Sequence, residues 1–225
     1  MSAPQLDRPL VDTSVMPTIH SFLRRETRLA GGVVRRVAPG DVRRAAVVDD
    51  HLDFLTMSLH HHHTVEDDHL WPLLLQKVPD ELAPVVHLME SQHAGVDAAL
   101  QGITEARRAF RAAALPADRD RLADLLDDLH TALVEHLEAE ETRLLPIAAR
   151  ALTQQEWDAM GEAGRAGTPR RFTLLVFGMF GYEGDPEVVP GMLADAPAPV
   201  RALLPRLARR SFRRYALRVH GTATP

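Results

Sequence analysis

The chain contains no cysteine. Disulfides, iron–sulfur clusters and thiolate ligands are therefore excluded, and any metal chemistry must rest on histidine and carboxylate. No apolar run reaches the roughly 18 residues that a membrane-spanning helix needs, so no membrane span is expected. Between Met1 and Pro17 no basic stretch precedes an apolar one. A secretory leader is not expected, and cytoplasmic location is the default.

What remains is an ordinary globular composition. The 225 residues are 45% hydrophobic and 25% charged, enough for one buried core with an appendage rather than two full domains. Charge is unevenly spread. Residues 1–169 carry 17 basic and 27 acidic side chains, a net of −10, and residues 170–225 carry 9 and 4, a net of +5.

Two stretches share one pattern. His62 is followed by Glu66, Leu70 and Pro72, and His136 by Glu140, Leu144 and Pro146, at the same three spacings. On a helix, residues four apart stack on one face, so each His and Glu can reach the same metal ion. Upstream of each copy stands a lone histidine: His20 lies 42 residues before His62, and His93 lies 43 before His136. A repeat of this length is one helical hairpin used twice. Two hairpins make a four-helix bundle, whose core is a usual place for a two-metal site.

With this H-HxxxE-H-HxxxE pattern, residues 12 to 150 resemble the hemerythrin-like (HHE cation-binding) family. The resemblance implies an all-α, up-down-up-down bundle over 12–152, with additional C-terminal helices of 153–225 packing on it. It implies two iron ions, oxo- or hydroxo-bridged. His20 and His62 would ligate one, His93 and His136 the other, and Glu66 and Glu140 would bridge them. The oxygen-carrying hemerythrins hold two histidines four apart on the third helix. Here Met89 stands four before His93, and His87 stands six before it on another face. One iron is then short of an imidazole, which favours open positions for peroxide, nitric oxide or water over plain oxygen carriage.

Two other readings stay open. Six polar residues on helix faces can be ordinary. Glu66-x-x-His69 and Glu90-x-x-His93 also match the Glu-x-x-His motif of ferritin-like diiron proteins. That motif does not repeat, because Arg143 stands where a counterpart of His69 should be.

Along the chain, residues 1–11 read as a loose arm containing Pro4 and Pro9. Asp12 or Thr13 caps a first helix to about Val37, and Asp41 caps a second to about Gln76, kinked at Pro72. A third helix spans about Asp80 to Ala114 and a fourth Asp118 to Leu152. Thr153-x-x-Glu156 is a capping box for a shorter helix. Phe172 to Phe180 is an apolar buried segment, Gly181 to Pro199 is turn-rich, and Pro199 to Val219 is an amphipathic helix rich in arginine. That last helix is expected to dock on the acidic bundle; a membrane surface is a weaker reading, and nucleic acid the weakest.

His63 and Asp67, four apart but turned from the proposed face, read as a solvated or supporting pair. Asp67, Glu90 and Glu141 are candidates to hold a ligand's second ring nitrogen. His69 reads as partly exposed, Trp71 as core, and His51, His87, His130 and His220 as structural or surface residues. The expected function is binding of O2, NO or peroxide for sensing or removal. The alternative is a non-catalytic iron-binding module acting through the C-terminal segment. Oligomeric state is not encoded legibly.

Overall fold

The structure, a computed structural model, describes residues 10–225, with only the backbone described at Glu81. Four antiparallel rods form the body. The first is α1 (Val15–Arg35). The second is α2 (Val42–Val65), which passes through a π-helical turn, Glu66–Leu70, into α3 (Trp71–Lys77). The third is α4 (Pro79–Ala113). The fourth is α5 (Pro116–Ala139), which passes through a second π-helical turn, Glu140–Leu144, into α6 (Leu145–Ala151). α1 packs on α2 and α5, and α4 completes the ring by packing on the same two. No strand occurs among the described residues.

Local chemistry fixes the rod ends. The Asp41 carboxylate accepts from the Arg44 amide at 2.9 Å, and Gly40 turns with φ +77° ahead of it. Ala114 ends α4 in the left-handed region, and Pro116 opens α5, where its missing N–H costs nothing.

The bundle core is divided. One apolar cluster holds Phe22, Leu23, Leu52, Leu55, Leu59, Val96, Ile103, Leu126, Leu129 and Leu133. The other holds Met16, Leu70, Trp71, Leu74, Leu82, Met89, Leu144 and Leu145. On each rod the residues between the two clusters are polar: His20 on α1, His62 to Glu66 on α2 and its turn, His93 on α4, and His136 and Glu140 on the fourth rod.

Beyond the bundle come α7 (Gln154–Gly167), a 3-10 turn (Arg170–Phe172), α8 (Thr173–Glu183), the short α9 (Val188–Gly191) and α10 (Ala198–His220). The capping box of α7 forms as expected: the Thr153 amide donates to Glu156 at 2.8 Å and the Glu156 amide to Thr153 Oγ1 at 3.4 Å. α8 lies between α1 and α10. α8 and α10 do not rest on a finished bundle; Leu175, Met179, Phe180, Phe212, Ala216 and Val219 belong to the first apolar cluster.

Several expectations are corrected. Leu10 and Val11 are not loose: both amides donate to the Ala149 carbonyl, at 2.7 and 3.2 Å, and Val11 is buried. The rest of the expected arm, residues 1–9, lies outside the described residues. Just before Pro72, where a kink is expected, the helix passes through a π turn, Glu66–Leu70. α8 runs on to Glu183, into the stretch read as turn-rich. The arginine helix docks through its apolar stripe rather than its charge. Among the described residues Arg218 is the one arginine of α10 that pairs with a bundle carboxylate, Asp50, at 3.2 Å. No described helix is long and apolar enough to cross a membrane.

Candidate metal centre

The polar layer is built by register. Leu52, Leu55 and Leu59 run down one face of α2, and the next positions of that face fall on His62, His63 and Glu66. There the helix widens. The Trp71 amide reaches back five residues to the Glu66 carbonyl, and the Leu145 amide does the same to Glu140. Pro72 and Pro146 follow each turn. A proline in regular α-helix would press its ring on the carbonyl four residues back, and a π turn gives that carbonyl room. Both glutamates thus open a π turn, and the repeat seen in the sequence recurs in backbone geometry.

All six side chains singled out in the sequence meet in this layer. His20 Nε2 lies 3.2 Å from Glu140 Oε2, and His136 Nε2 lies 4.0 Å from the same oxygen. His62 Nε2 lies 3.4 Å from Glu66 Oε1, and His93 Nε2 lies 3.6 Å from Glu66 Oε2. Each carboxylate therefore stands between one histidine of each pair. Two groups could each hold a metal ion: His20, His62, Glu66 and Glu140, and His63, Glu66, His93 and His136. Glu66 is common to both.

His63 is the residue that sequence reasoning placed elsewhere. It is buried, stacks on His93 with ring centroids 4.1 Å apart, and meets His136 edge-on at 5.1 Å. Neither of its ring nitrogens has a hydrogen-bond partner. It does not pair with Asp67. The signal that would have found it is Leu59, four residues earlier on the core stripe.

The outer hydrogen bonds set the tautomers. Asp67 Oδ1 accepts from His93 Nδ1 at 2.9 Å, and Glu141 Oε1 from His20 Nδ1 at 2.7 Å. Arg24 steadies Glu141 at 2.7 Å. With Nδ1 carrying the proton, the Nε2 lone pairs of His93 and His20 point inward. Gln92 faces His136 Nδ1 at 3.4 Å in the same sense. The Nε2 atoms of His93 and His136 are 3.2 Å apart. Without a metal that contact is an imidazole–imidazole hydrogen bond, one ring carrying its proton on Nε2; two nitrogens bound at about 2.1 Å to one ion would also sit roughly 3.0–3.4 Å apart. Among the described residues, the buried oxygens of Glu66 and Glu140 and the Nε2 atoms of His20 and His62 have no hydrogen-bond partner. Unmet buried groups converging like this fit a cation.

Protonation follows the same geometry. Burial holds His62 and His63 well below the usual histidine pKa, with neighbouring imidazoles adding to the effect, and lowers His136 to about 4. All three are neutral near pH 7. Burial, with Glu140 alongside, pushes Glu66 well above the ordinary carboxylate range. Burial opposes charge on His20, but Glu140 and Glu141 more than offset it, and its pKa is raised. Burial likewise works against the Glu140 charge, yet His20 holds its pKa below the usual value.

The remaining sequence candidates separate. Glu90 is exposed and pairs with His87 at 3.5 Å, away from the layer. The π turn leaves His69 exposed, so neither Glu-x-x-His motif is assembled. His130 is half-buried against Thr27 at 3.0 Å. His51 and His220 are buried in a separate cluster.

Residues 12–148 match the family described as Hemerythrin HHE cation binding domain. The chain belongs to this family. Neither curated proteins nor solved structures yielded a match to the chain. Hemerythrin-type cation binding accounts for a buried His/Glu layer that the apolar clusters on either side leave unneutralised.

Proposed function

We propose that the layer holds two irons and acts on a small redox ligand, O2, NO or peroxide, for sensing or removal. The observation that carries this reading is Glu66, whose two oxygens face histidines of different pairs and which belongs to both four-residue groups. In this reading His20 and His62 hold one ion, His93 and His136 the other, and Glu66 and Glu140 bridge. His63 joins His93 and His136, restoring the imidazole that Met89 does not supply. Mixed nitrogen and oxygen donors suit iron better than calcium or magnesium, which prefer oxygen.

Two irons held this close would cycle between ferrous and ferric and exchange electrons with one ligand. The protein's part is orientation and exclusion. Asp67 and Glu141 fix which ring nitrogen faces the ions. The apolar clusters on both sides keep water away. His62 is the most exposed of the seven residues, at 9%, and in this reading a small ligand enters on its side.

Metal analysis and the visible spectrum of aerobically purified protein test this. About two irons per chain with a ligand-to-iron charge-transfer band are expected, and one tightly held zinc without colour would overturn the reading. Oxygen release from hydrogen peroxide that disappears in His62→Ala supports a catalytic role. A non-catalytic sensor is the second reading, favoured by α10 ending against α1 and α2, the helices that carry His20 and His62. Inert iron, with iron-dependent changes confined to residues 170–225, selects it.

A further inference from the structure

Three buried side chains from three distant parts of the chain meet outside the His/Glu layer. Glu26 lies on α1, His51 on α2 and His220 is the last residue of α10; each side chain is at most 2% exposed. His220 Nε2 is 3.1 Å from Glu26 Oε2, and His51 Nε2 is 3.7 Å from the same oxygen. The three donor atoms all lie within 4.8 Å of one another. Glu26 stands six residues after His20, roughly 9 Å along the helix, and His51 eleven before His62, roughly 16 Å. The cluster is thus separate from the layer but shares two rods with it.

Glu26 and His51 are each oriented by a second partner. Arg25 holds the other Glu26 oxygen, Oε1, through Nε at 3.0 Å and Nη2 at 2.7 Å, leaving Oε2 aimed at the histidines. Arg25 is in turn paired with Glu183 at 3.0 Å, so Glu26 keeps its attraction for a cation. The Tyr215 hydroxyl meets His51 Nδ1 at 2.7 Å, directing Nε2 toward Glu26. His220 is placed by the end of its helix: Gly221 turns with φ +80°, and Arg44 donates to the Arg218 and Val219 carbonyls.

A hydrogen-bonded anchor explains only part of this. His220 can donate to Glu26, but 3.7 Å is too long for His51 to do so, and His51 Nε2 has no partner although it is buried. Ligands bound at about 2.0–2.1 Å to one tetrahedral ion lie roughly 3.3–3.5 Å apart, between the two distances seen. Two imidazoles and one carboxylate, with the fourth position filled by no described side chain, form a donor set that zinc takes.

We propose that Glu26, His51 and His220 form a third, mononuclear metal site for a zinc-class divalent cation, which clasps the end of α10 to α1 and α2. Occupancy ties the C-terminal helix to the two rods that carry His20 and His62.

The test is cobalt(II) titration of the chelator-treated full-length chain, read by bound metal per chain and by the intense visible absorption of four-coordinate cobalt. His220→Gln keeps a side-chain donor for Glu26 but removes the imidazole. Wild type is expected to bind one cobalt more than H220Q, with the four-coordinate band stronger in wild type by the absorbance of one ion. The readout is a difference, so it does not depend on how many ions the bundle layer takes. Tyr215→Phe, which removes no ligand, is expected to weaken that one cobalt about 10-fold or more. Equal stoichiometry and equal spectra in wild type and folded H220Q would overturn the site. If H220Q does not fold, Y215F decides: a four-coordinate band that it weakens supports the site, and no band, or one that it leaves unchanged, overturns it.

Discussion

Asp67 serves two neighbours with one oxygen. It accepts the Nδ1 proton of His93 at 2.9 Å and the indole proton of Trp71 at 2.7 Å. An amide accepts more weakly than a carboxylate, so Asp67→Asn should lower iron affinity about 10–100-fold by chelator competition, with Asp68→Asn as an unaffected control. His63→Ala should reduce iron retained on dialysis from about two per chain toward one, whereas exposed His60→Ala should not. His51 supplies a prediction about pH. Unfolded, it titrates near 6.5; folded, burial depresses it to about 4 despite Glu26. Between those values the unfolded chain binds a proton that the folded one refuses, so stability falls as pH drops from 6.5 to 4, by up to ~3 kcal/mol from this residue. In metal-free protein, His51→Gln should therefore flatten the slope of Tm against pH in that window. His20, His62, Glu66, His93, His136 and Glu140 were legible because they recur at fixed spacing. His63 was not, since its neighbour His62 already satisfied the pattern and a 100° turn seemed to face it outward. His51, Glu26 and His220 were not, because their meeting depends on where α10 ends.

At the scale of elements, helix order and type could be read from apolar periodicity and from proline and glycine punctuation. The two π turns could not. Periodicity at 3.6 residues carries no mark of one inserted residue, although the prolines ten after each histidine pointed to the place. The contact between α8 and α10 was equally hidden, because its closeness requires an absent side chain at Gly178. A Cβ at Gly178 would collide with the Ala208 carbonyl and come within 2.8 Å of Phe212 Cβ. Backbone cannot step aside as a flexible side chain can, so Gly178→Ala should push α10 off α8 and cost about 2 kcal/mol, seen as a Tm lower by roughly 4–8 °C. Gly181→Ala, which meets nothing within 4 Å, should not lower Tm, and iron binding should survive in both.

Over the whole molecule, the charge division noted in the sequence does not coincide with a division of the core. The basic residues 170–225 supply α8 and α10, whose Met179, Phe212 and Ala216 are buried in the same cluster as Phe22, Leu52 and Leu55 of the bundle. The family match ends at residue 148, and all seven histidine and glutamate side chains of the layer lie within it. A chain ending at residue 168 keeps every one of those side chains yet uncovers the apolar faces of α1 and α2 that α8 and α10 now bury. Each large apolar side chain returned to water costs about 1.5–3 kcal/mol, and several do so at once, which is comparable with the whole stability of an ordinary domain. The truncated chain should therefore lose its cooperative thermal transition and aggregate on size exclusion, even with iron supplied. A sharp transition and a monomeric peak within a few degrees of the full-length Tm would instead mean that the C-terminal helices are an appendage.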